Sequence, residues 1–222
     1  MGEMLHRLHV SNYSPKEEIA NVITHGLGVI LAGVGLYFLA TEAHLTADPW
    51  KLWSSVTFGL CMFACYLCST LYHAVSNLEL KEKMRIADHI GIYLLIAGSY
   101  TPFVLVNLHG WIGWTFFVLI WGCAVLGIII RVTNHRVPNY VSAAPYLIMG
   151  WLGVIVIKPL FDSVGWGGIG LILLGGALYS IGVVFYLSER IPFNHAIWHL
   201  FVLGGSISHY FAVLFEVIPL AS

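Results

Sequence analysis

The stretch "GWIGWTFFVLIWGCAVLGIII", residues 110–130, is a continuous apolar run without a single charged side chain. A transmembrane α-helix needs about 20 predominantly apolar residues to cross the hydrocarbon core of a bilayer, so this run predicts a membrane-spanning helix. Of the 222 residues of the chain, 59% are hydrophobic and only 9% are charged. A soluble domain carries about 25% charged residues. The chain is therefore predicted to be an all-α membrane protein.

Six further apolar runs flank this one, and short polar loops separate them. We expect a bundle of seven transmembrane helices at residues 21–41, 52–75, 86–108, 110–130, 139–157, 165–187 and 195–218. The length suits one bundle without a second domain. Residues 1–222 are therefore predicted to form a single seven-helix domain with a short N-terminal tail at about 1–17.

Capping residues and prolines mark where the predicted helices begin and bend. The segment SPKE is typical of a helix start, with Ser14 as the cap, Pro15 in the first turn and Glu17 completing a capping box. Pro102 and Pro145 fall within predicted spans, where a proline removes a backbone hydrogen bond and kinks the helix.

The basic residues indicate the orientation of the bundle. Most of the ten Lys and Arg residues flank one side of the predicted spans, namely Arg7, Lys16, Lys81, Lys83, Arg85, Arg131, Arg136 and Arg190. Only Lys51 and Lys158 flank the other side. Since Lys and Arg are enriched in cytoplasmic loops, we predict a cytoplasmic N-terminus and a C-terminus that is periplasmic or outside. A net charge of −1 gives no indication of a nucleic-acid partner.

Polar and ionisable residues within the spans gather at this cytoplasmic end. They lie in the first turns of spans one, three and seven and in the last turns of span two: Glu18, Asn21, His25, Ser69, His73, Asp88, His195 and His199. Such residues are costly in a membrane and generally face the interior of a bundle. Four helix ends are thus expected to bring them to one depth, as a metal or catalytic site requires.

The segment "NHAIWHLF" at 194–201 carries two of these residues one helical turn apart. His195 and His199 share one helix face, as the two histidines of H-E-x-x-H metalloenzymes do. His73 is at a matching depth and is the expected third ligand. Three imidazoles leave one tetrahedral position for water, which is the arrangement of catalytic zinc. Ligands of this type, with no thiolate nearby except Cys68, favour zinc (Zn²⁺).

The remaining polar residues suggest catalytic and supporting roles. Asp88 is the acid at this level of span three and is expected to act as general base or to hold the water. Ser69, four residues before His73, is expected to donate to a developing oxyanion or to orient a ligand. Three residues of span one are expected to support the ligands: Glu18, Asn21 and His25. For His25, capping of a backbone group is an equal alternative.

These motifs, in this order, resemble one known family. They are E-x-x-N-x-x-T-H at 18–25, S-x-x-x-H at 69–73 followed by Asp88, AGSYTP at 97–102, and H-x-x-x-H at 195–199 within RIPFNHAIWHLFVLGGSISHY. Together they resemble the progestin and adipoQ receptor superfamily, and most closely its bacterial branch, the hemolysin III family of inner-membrane proteins. The resemblance extends over nearly the whole chain.

The resemblance implies a seven-helix fold, a cytoplasmic N-terminus, a location in the bacterial inner membrane and a zinc site near the cytoplasmic face. His73, His195 and His199 match the zinc ligands of the adiponectin receptors in this superfamily, and Asp88 matches the aspartate that contacts the zinc through water. Those receptors are linked to hydrolysis of ceramide amides, and other members to membrane-fluidity homeostasis. Only about 17 residues precede the first predicted helix, so we expect no hormone-binding domain.

Three functions remain open at this point. The first is a zinc-dependent intramembrane hydrolase whose partner is a membrane lipid with a ceramide-like amide or an ester; an open fourth coordination position would favour it. The second is a non-catalytic membrane-homeostasis protein with a structural zinc site, which direct binding of Asp88 to the metal would favour. The third is a hemolysin or pore-forming protein, against which seven strongly apolar spans and the absence of a signal peptide argue.

Overall fold

The computed structural model describes residues 13–134 and 139–219, and this part of the chain is helical without any strand. The α-helices are α1 Pro15–Leu45, α2 Pro49–Ala74, α3 Leu78–Pro102, α4 Trp111–Thr133, α5 Asn139–Trp151, α6 Ile157–Leu187 and α7 Asn194–Glu216. A π-helical turn, Phe103–Asn107, extends α3, and a 3₁₀ segment, Leu152–Val156, joins α5 to α6.

Within the described ranges, six helical segments are long and apolar enough to cross a membrane. Five of them are α1, α2, α3 with its π-helical turn, α4 and α7, and the sixth is the continuous segment Val141–Leu187 of 47 residues. Large apolar side chains cover the outside of the bundle, including Ile23 and Ile30 on α1 and Val118 on α4. Contact with lipid tails explains an apolar surface of this extent, which water would not. The prediction of an all-α membrane protein is confirmed.

Side-chain caps set the helix starts. At α1, the Glu17 backbone N–H donates to Ser14 Oγ (3.3 Å) and the Ser14 N–H donates to Glu17 Oε2 (2.9 Å), so the predicted capping box is present. At α2, the carboxylate of Asp48 accepts from the backbone of the first turn, and at α3 the side-chain oxygen of Asn77 does so. Each cap satisfies backbone donors that a helix start leaves without partners.

The two prolines behave differently. Pro102 ends α3, and the π-helical turn follows at once, which fits the loss of a backbone donor at that position. Pro145 does not end α5, whose α-helical geometry continues to Trp151 before the 3₁₀ segment begins. The expected break in span five therefore occurs later than the proline.

The predicted loop between spans five and six is helical instead. Residues 157–164 belong to α6, because Leu160 and Val164 are buried in the core of the bundle. The helical geometry is interrupted at Gly165, which adopts φ 61° and ψ −166°. A positive φ of this kind is accessible to glycine at little cost. The chain thus turns at Gly165 rather than in a polar loop.

Hydrogen bonds between helix ends show which ends lie together. The Phe193 N–H, just before α7, donates to Glu17 Oε1 (3.2 Å) in the first turn of α1. Arg131, near the end of α4, donates from Nη1 to Ser142 Oγ (3.4 Å) at the start of α5. We refer to this side as the N-terminal end of the bundle, because α1 begins there.

Other hydrogen bonds define the opposite end. Lys51 Nζ, in the first turn of α2, donates to the Pro219 carbonyl oxygen (2.6 Å) beyond α7. Asn107 Nδ2, at the end of the π-helical turn, donates to Ser163 Oγ (3.0 Å) just before the break at Gly165. Four segments that are distant in sequence therefore meet on this side of the bundle.

Two basic residues expected in a loop lie in a helix. Because α3 begins at Leu78, Lys81 and Arg85 belong to its first turns, and both are buried. Lys81 Nζ donates to the Tyr72 carbonyl oxygen (3.0 Å) at the end of α2. The Lys81 ammonium group thus reaches into the bundle rather than out to solvent.

Candidate metal centre

Three histidines form a compact buried cluster at the N-terminal end of the bundle. His73 lies in the last turn of α2, and His195 and His199 lie one turn apart at the start of α7. One ring nitrogen from each lies within 4.8 Å of those of the other two, so the three can hold a single metal ion. The three residues that the sequence singled out as ligands are therefore brought together in the fold.

Hydrogen bonds fix the orientation of His73. Its Nδ1 lies 2.6 Å from Glu18 Oε2. A carboxylate only accepts, so Nδ1 carries the proton, and Nε2 keeps its lone pair. The Nε2 atom is buried and has no hydrogen-bond partner in the described part of the chain. Asn21 Nδ2 lies 3.3 Å from the same Nδ1, so Asn21 contacts His73, but two donors face each other there and only Glu18 accepts the proton of Nδ1.

The other two histidines also direct free nitrogens into the cluster. His199 Nδ1 lies 3.0 Å from Thr24 Oγ1, and the Thr24 hydroxyl donates to the Ala20 carbonyl oxygen (2.9 Å). Thr24 therefore accepts from His199 Nδ1, which leaves the lone pair on Nε2. Both ring nitrogens of His195 are buried without a partner among the described residues. Buried polar atoms are rarely left without a partner, and a metal ion would provide one.

A partly buried ion pair holds the carboxylate that orients His73. Lys81 Nζ lies 2.9 Å from Glu18 Oε1, while the other oxygen of Glu18 contacts His73. A carboxylate bonded to the distal nitrogen of a metal-binding histidine fixes its ring orientation and makes it a better ligand. The sequence predicted Glu18 but not Lys81, which had been counted only as a basic residue of a loop.

His25 packs against the cluster without a hydrogen bond. Its ring stacks on that of His199 with centroids 3.5 Å apart and an interplanar angle of 15°. Both of its ring nitrogens are buried and have no partner in the described structure. Its contact with the cluster is through the ring face, and both expected roles of His25, support of the ligands and capping of a backbone group, stay predictions.

Asp88 and Ser69 lie beside the histidines on the wall of a cavity of about 150 Å³, which His195 and His199 also line. Both side chains are buried. The Ser69 hydroxyl lies next to the Asp88 carboxylate. The carboxylate of Asp88 lies outside the group of mutually close ligand atoms, which contains the three histidines alone. Asp88 is therefore placed near the candidate metal site but not in its ligand set.

The cavity continues away from the histidines as an apolar channel. It reaches His209, which is fourteen residues beyond His195 on α7 and thus roughly 21 Å further along the helix. Trp151, Val154 and Leu173 line the cavity and are 41%, 51% and 41% exposed on the outside of the bundle. The cavity wall therefore includes side chains of the 3₁₀ segment and of α6 that also reach the outer surface of the bundle.

Some contacts around the cluster were not foreseen. Thr24 belongs to the polar residues that the sequence places at this end of span one, but its hydrogen bond with His199 is not predictable from the sequence. Arg85 and His89 also line the cavity. Arg85 is not predictable as a cavity residue from the sequence, because a basic residue next to a predicted loop is ordinarily solvated.

Comparison with known proteins agrees with this architecture. The model of one protein family, described as haemolysin-III related, matches residues 13–210. Hemolysin-3 of Bacillus cereus is 47% identical over 207 residues, covering 93% of this chain and 94% of that protein. A hemolysin-3 homolog of Bacillus subtilis is 46% identical over 203 residues, covering 91% of this chain and 95% of that protein.

More distant relatives are eukaryotic. The human monocyte to macrophage differentiation factor is 32% identical over 203 residues, covering 89% of this chain and 83% of that protein. No solved structure matches the chain. The family match and the apolar helices confirm the predicted location, a multi-pass protein of the bacterial inner membrane. The chain belongs to the haemolysin-III-related family, as its ordered motifs predicted.

Proposed function

We propose that the chain is a zinc-dependent intramembrane hydrolase that acts on a lipid amide, such as a ceramide-like amide, or on a lipid ester. One observation carries this proposal: three buried histidines whose ring nitrogens can hold one metal ion lie at an apolar cavity, which His195 and His199 line. A carboxylate and a hydroxyl, those of Asp88 and Ser69, line the same cavity. A contribution to membrane lipid and fluidity homeostasis would follow from such an activity.

The topology that we propose has seven membrane crossings. A straight helix over the 47 residues of Val141–Leu187 would be about 70 Å long, more than twice the roughly 30 Å hydrocarbon core of a bilayer. The break at Gly165 supports two crossings in this segment. Seven crossings place the N-terminus and the C-terminus on opposite sides. The excess of basic residues at the N-terminal end supports a cytoplasmic N-terminus and a C-terminus outside.

The histidine cluster fits a zinc ion. His73, His195 and His199 would hold it through ring nitrogens, two of which carry lone pairs because of their contacts with Glu18 and Thr24. Nitrogen ligands of this kind suit zinc well. When bound, zinc would polarise a carbonyl oxygen and activate a water molecule. With Asp88 outside the ligand set, three protein ligands leave the site open, as in catalytic zinc sites.

Two polar residues on the cavity wall and the apolar walls themselves would carry out the remaining steps of hydrolysis. Asp88 is a buried carboxylate on the cavity wall, and we assign it the role of general base, which accepts a proton from water and returns it to the leaving group. Ser69, on the same cavity wall, offers a hydroxyl donor to the carbonyl oxygen. The apolar walls accommodate an acyl chain and exclude bulk water from the reacting groups.

The test combines metal content with lipid hydrolysis on detergent-purified protein. We expect about one zinc per wild-type chain, lost in His195→Ala and retained in Asp88→Asn, and release of fatty acid from a ceramide or ester by wild type but by neither of these variants. Asp162→Asn is the matched control, because Asp162 is an exposed acid on α6 that pairs with Lys158. Wild-type protein without stoichiometric metal would refute the zinc site. Bound metal without hydrolysis would favour the non-catalytic role in membrane homeostasis.

A second candidate, membrane lysis, is suggested by the names of the two Bacillus relatives. It can be tested by dye release from vesicles that contain the purified protein. Release by wild type and by Asp88→Asn to the same extent would show a lytic effect that does not depend on the cavity. We expect no release at protein levels that support hydrolysis, because the described helices are continuous apolar spans.

A further inference from the structure

A second buried site lies at the N-terminal end of the bundle, outside the histidine cluster. Arg131, near the end of α4, is only 3% exposed. Its Nη1 donates to Ser142 Oγ of α5 (3.4 Å). Its Nε and Nη2 are buried and have no hydrogen-bond partner among the described residues. No described carboxylate forms an ion pair with it. Arg131 is thus a buried cation with an unsatisfied edge.

The two free nitrogens define the ligand that would satisfy them. Nε and Nη2 form one edge of the planar guanidinium group and direct two nearly parallel N–H groups outwards. This edge matches the paired oxygen atoms of a carboxylate or a phosphate, which arginine binds through two hydrogen bonds at once. The contact with Ser142 occupies the third nitrogen and restrains the group. The Asp88 carboxylate attracts the charge of Arg131 from a distance and the Arg85 guanidinium repels it, but no described group pairs with Nε and Nη2, so this edge remains available to an oxyanion.

The position of Arg131 suggests where the oxyanion comes from. Tyr146 lies one helical turn beyond Ser142 on α5 and lines the end of the apolar cavity. The Tyr146 hydroxyl donates to the His89 carbonyl oxygen (3.4 Å) on α3, which ties this part of α5 to the cavity wall. The last turns of a membrane-spanning helix lie near the level of lipid headgroups. A lipid with its chain in the cavity would therefore have its headgroup near α4.

We propose that Arg131, supported by Ser142, binds the phosphate or carboxylate oxygens of a lipid headgroup whose chain occupies the adjoining cavity. The site selects anionic lipids over neutral ones, because a neutral headgroup leaves the guanidinium edge unpaired. This inference goes beyond the proposed hydrolase activity. It requires neither bound metal nor turnover, so the two proposals can fail separately.

Ligand binding to detergent-purified full-length protein tests the site, with three probes observed by native mass spectrometry. Dioleoyl phosphatidic acid supplies chains and an oxyanion, dioleoylglycerol supplies the chains alone, and inorganic phosphate supplies the oxyanion alone. We expect wild type to bind phosphatidic acid about ten- to a hundredfold more tightly than dioleoylglycerol, since hydrogen bonds to a charged group have about that value. Arg131→Gln removes this preference, whereas Arg190→Gln, which neutralises an exposed arginine at the same end, keeps it.

Thermal stability separates a ligand site from a structural arginine. Without added lipid, we expect Arg131→Met to melt at or above the wild-type temperature, because the substitution removes an unpaired buried charge. Phosphatidic acid should then raise the melting temperature of wild type but not of Arg131→Met. Equal affinity of wild type and Arg131→Gln for phosphatidic acid would overturn the site. Tight binding of inorganic phosphate without any gain from the lipid chains would support the oxyanion site but overturn its assignment to a lipid headgroup.

Discussion

Replacing Glu18 with glutamine tests how the ligand His73 is held. The carboxylate of Glu18 lies 2.6 Å from His73 Nδ1 and 2.9 Å from Lys81 Nζ, with the Glu18 side chain 19% exposed and that of His73 fully buried. Hydrogen bonds to charged groups contribute about 1.5–3 kcal/mol. Mutation of a residue that hydrogen-bonds to a metal-binding histidine typically weakens metal affinity by about 10–100-fold. Glutamine keeps an acceptor oxygen but loses the charge. We therefore expect the lower part of this range, about a tenfold weaker zinc affinity, or ~1.4 kcal/mol.

The assay is competition between the purified protein and a chromogenic zinc chelator. Glu42→Gln is the matched control, because Glu42 is exposed on the same helix near its other end, and it should leave the zinc affinity unchanged. Lys81→Met should weaken zinc binding less than Glu18→Gln does, since the carboxylate remains in contact with His73. A folded Glu18→Gln protein with wild-type zinc affinity would refute the argument that this carboxylate positions the ligand.

Two further predictions concern helix packing. A methyl group on Gly91 would lie 2.9 Å from the Cα atom of Cys65. Gly91→Ala should therefore push α3 away from α2 and lower the free energy of unfolding by about 1–3 kcal/mol. Gly170 has open space around it, so the control variant Gly170→Ala should leave the melting temperature unchanged or raise it slightly. Tyr100→Phe removes a hydroxyl that accepts from the Gly153 N–H (2.9 Å), and it should lower thermal stability by about 1–3 kcal/mol. Equal melting temperatures for the two alanine variants, or for Tyr100→Phe and wild type, would contradict these readings.

The features that local rules govern were predictable from the sequence. The capping box at Ser14 and Glu17 depends on four consecutive residues, and it is present in the structure. The proximity of His195 and His199 follows from helical periodicity alone. The proximity of His73 to this pair is predicted from its depth in the membrane, because residues at the same level of neighbouring spans can meet inside a bundle. Contacts of this kind are easier to predict in membrane proteins than in soluble ones, because the bilayer constrains the length and depth of each helix.

Features that depend on tertiary packing were not predictable. Residues 158–164 are expected from the sequence to form a polar loop, but burial of Leu160 and Val164 favours a helix. The basic residues Lys81 and Arg131 were counted as loop charges, which is how the statistics of membrane orientation treat them. The statistics describe where a residue lies in the chain and not what surrounds its side chain. The burial of both side chains became evident only from the packed helices.

The first turn of α1 contacts helices that are made much later. Glu17 accepts a hydrogen bond from Phe193, and Glu18 contacts His73, so neighbouring residues of α1 reach the start of α7 and the end of α2. During synthesis, α1 and α2 leave the ribosome first and α7 leaves it last of the described helices, with two of the three histidines. The cluster is therefore complete only after α7 has been inserted. An interrupted chain that ends before α7 carries His73 alone of the three, so metal binding would distinguish a finished bundle from an abortive one.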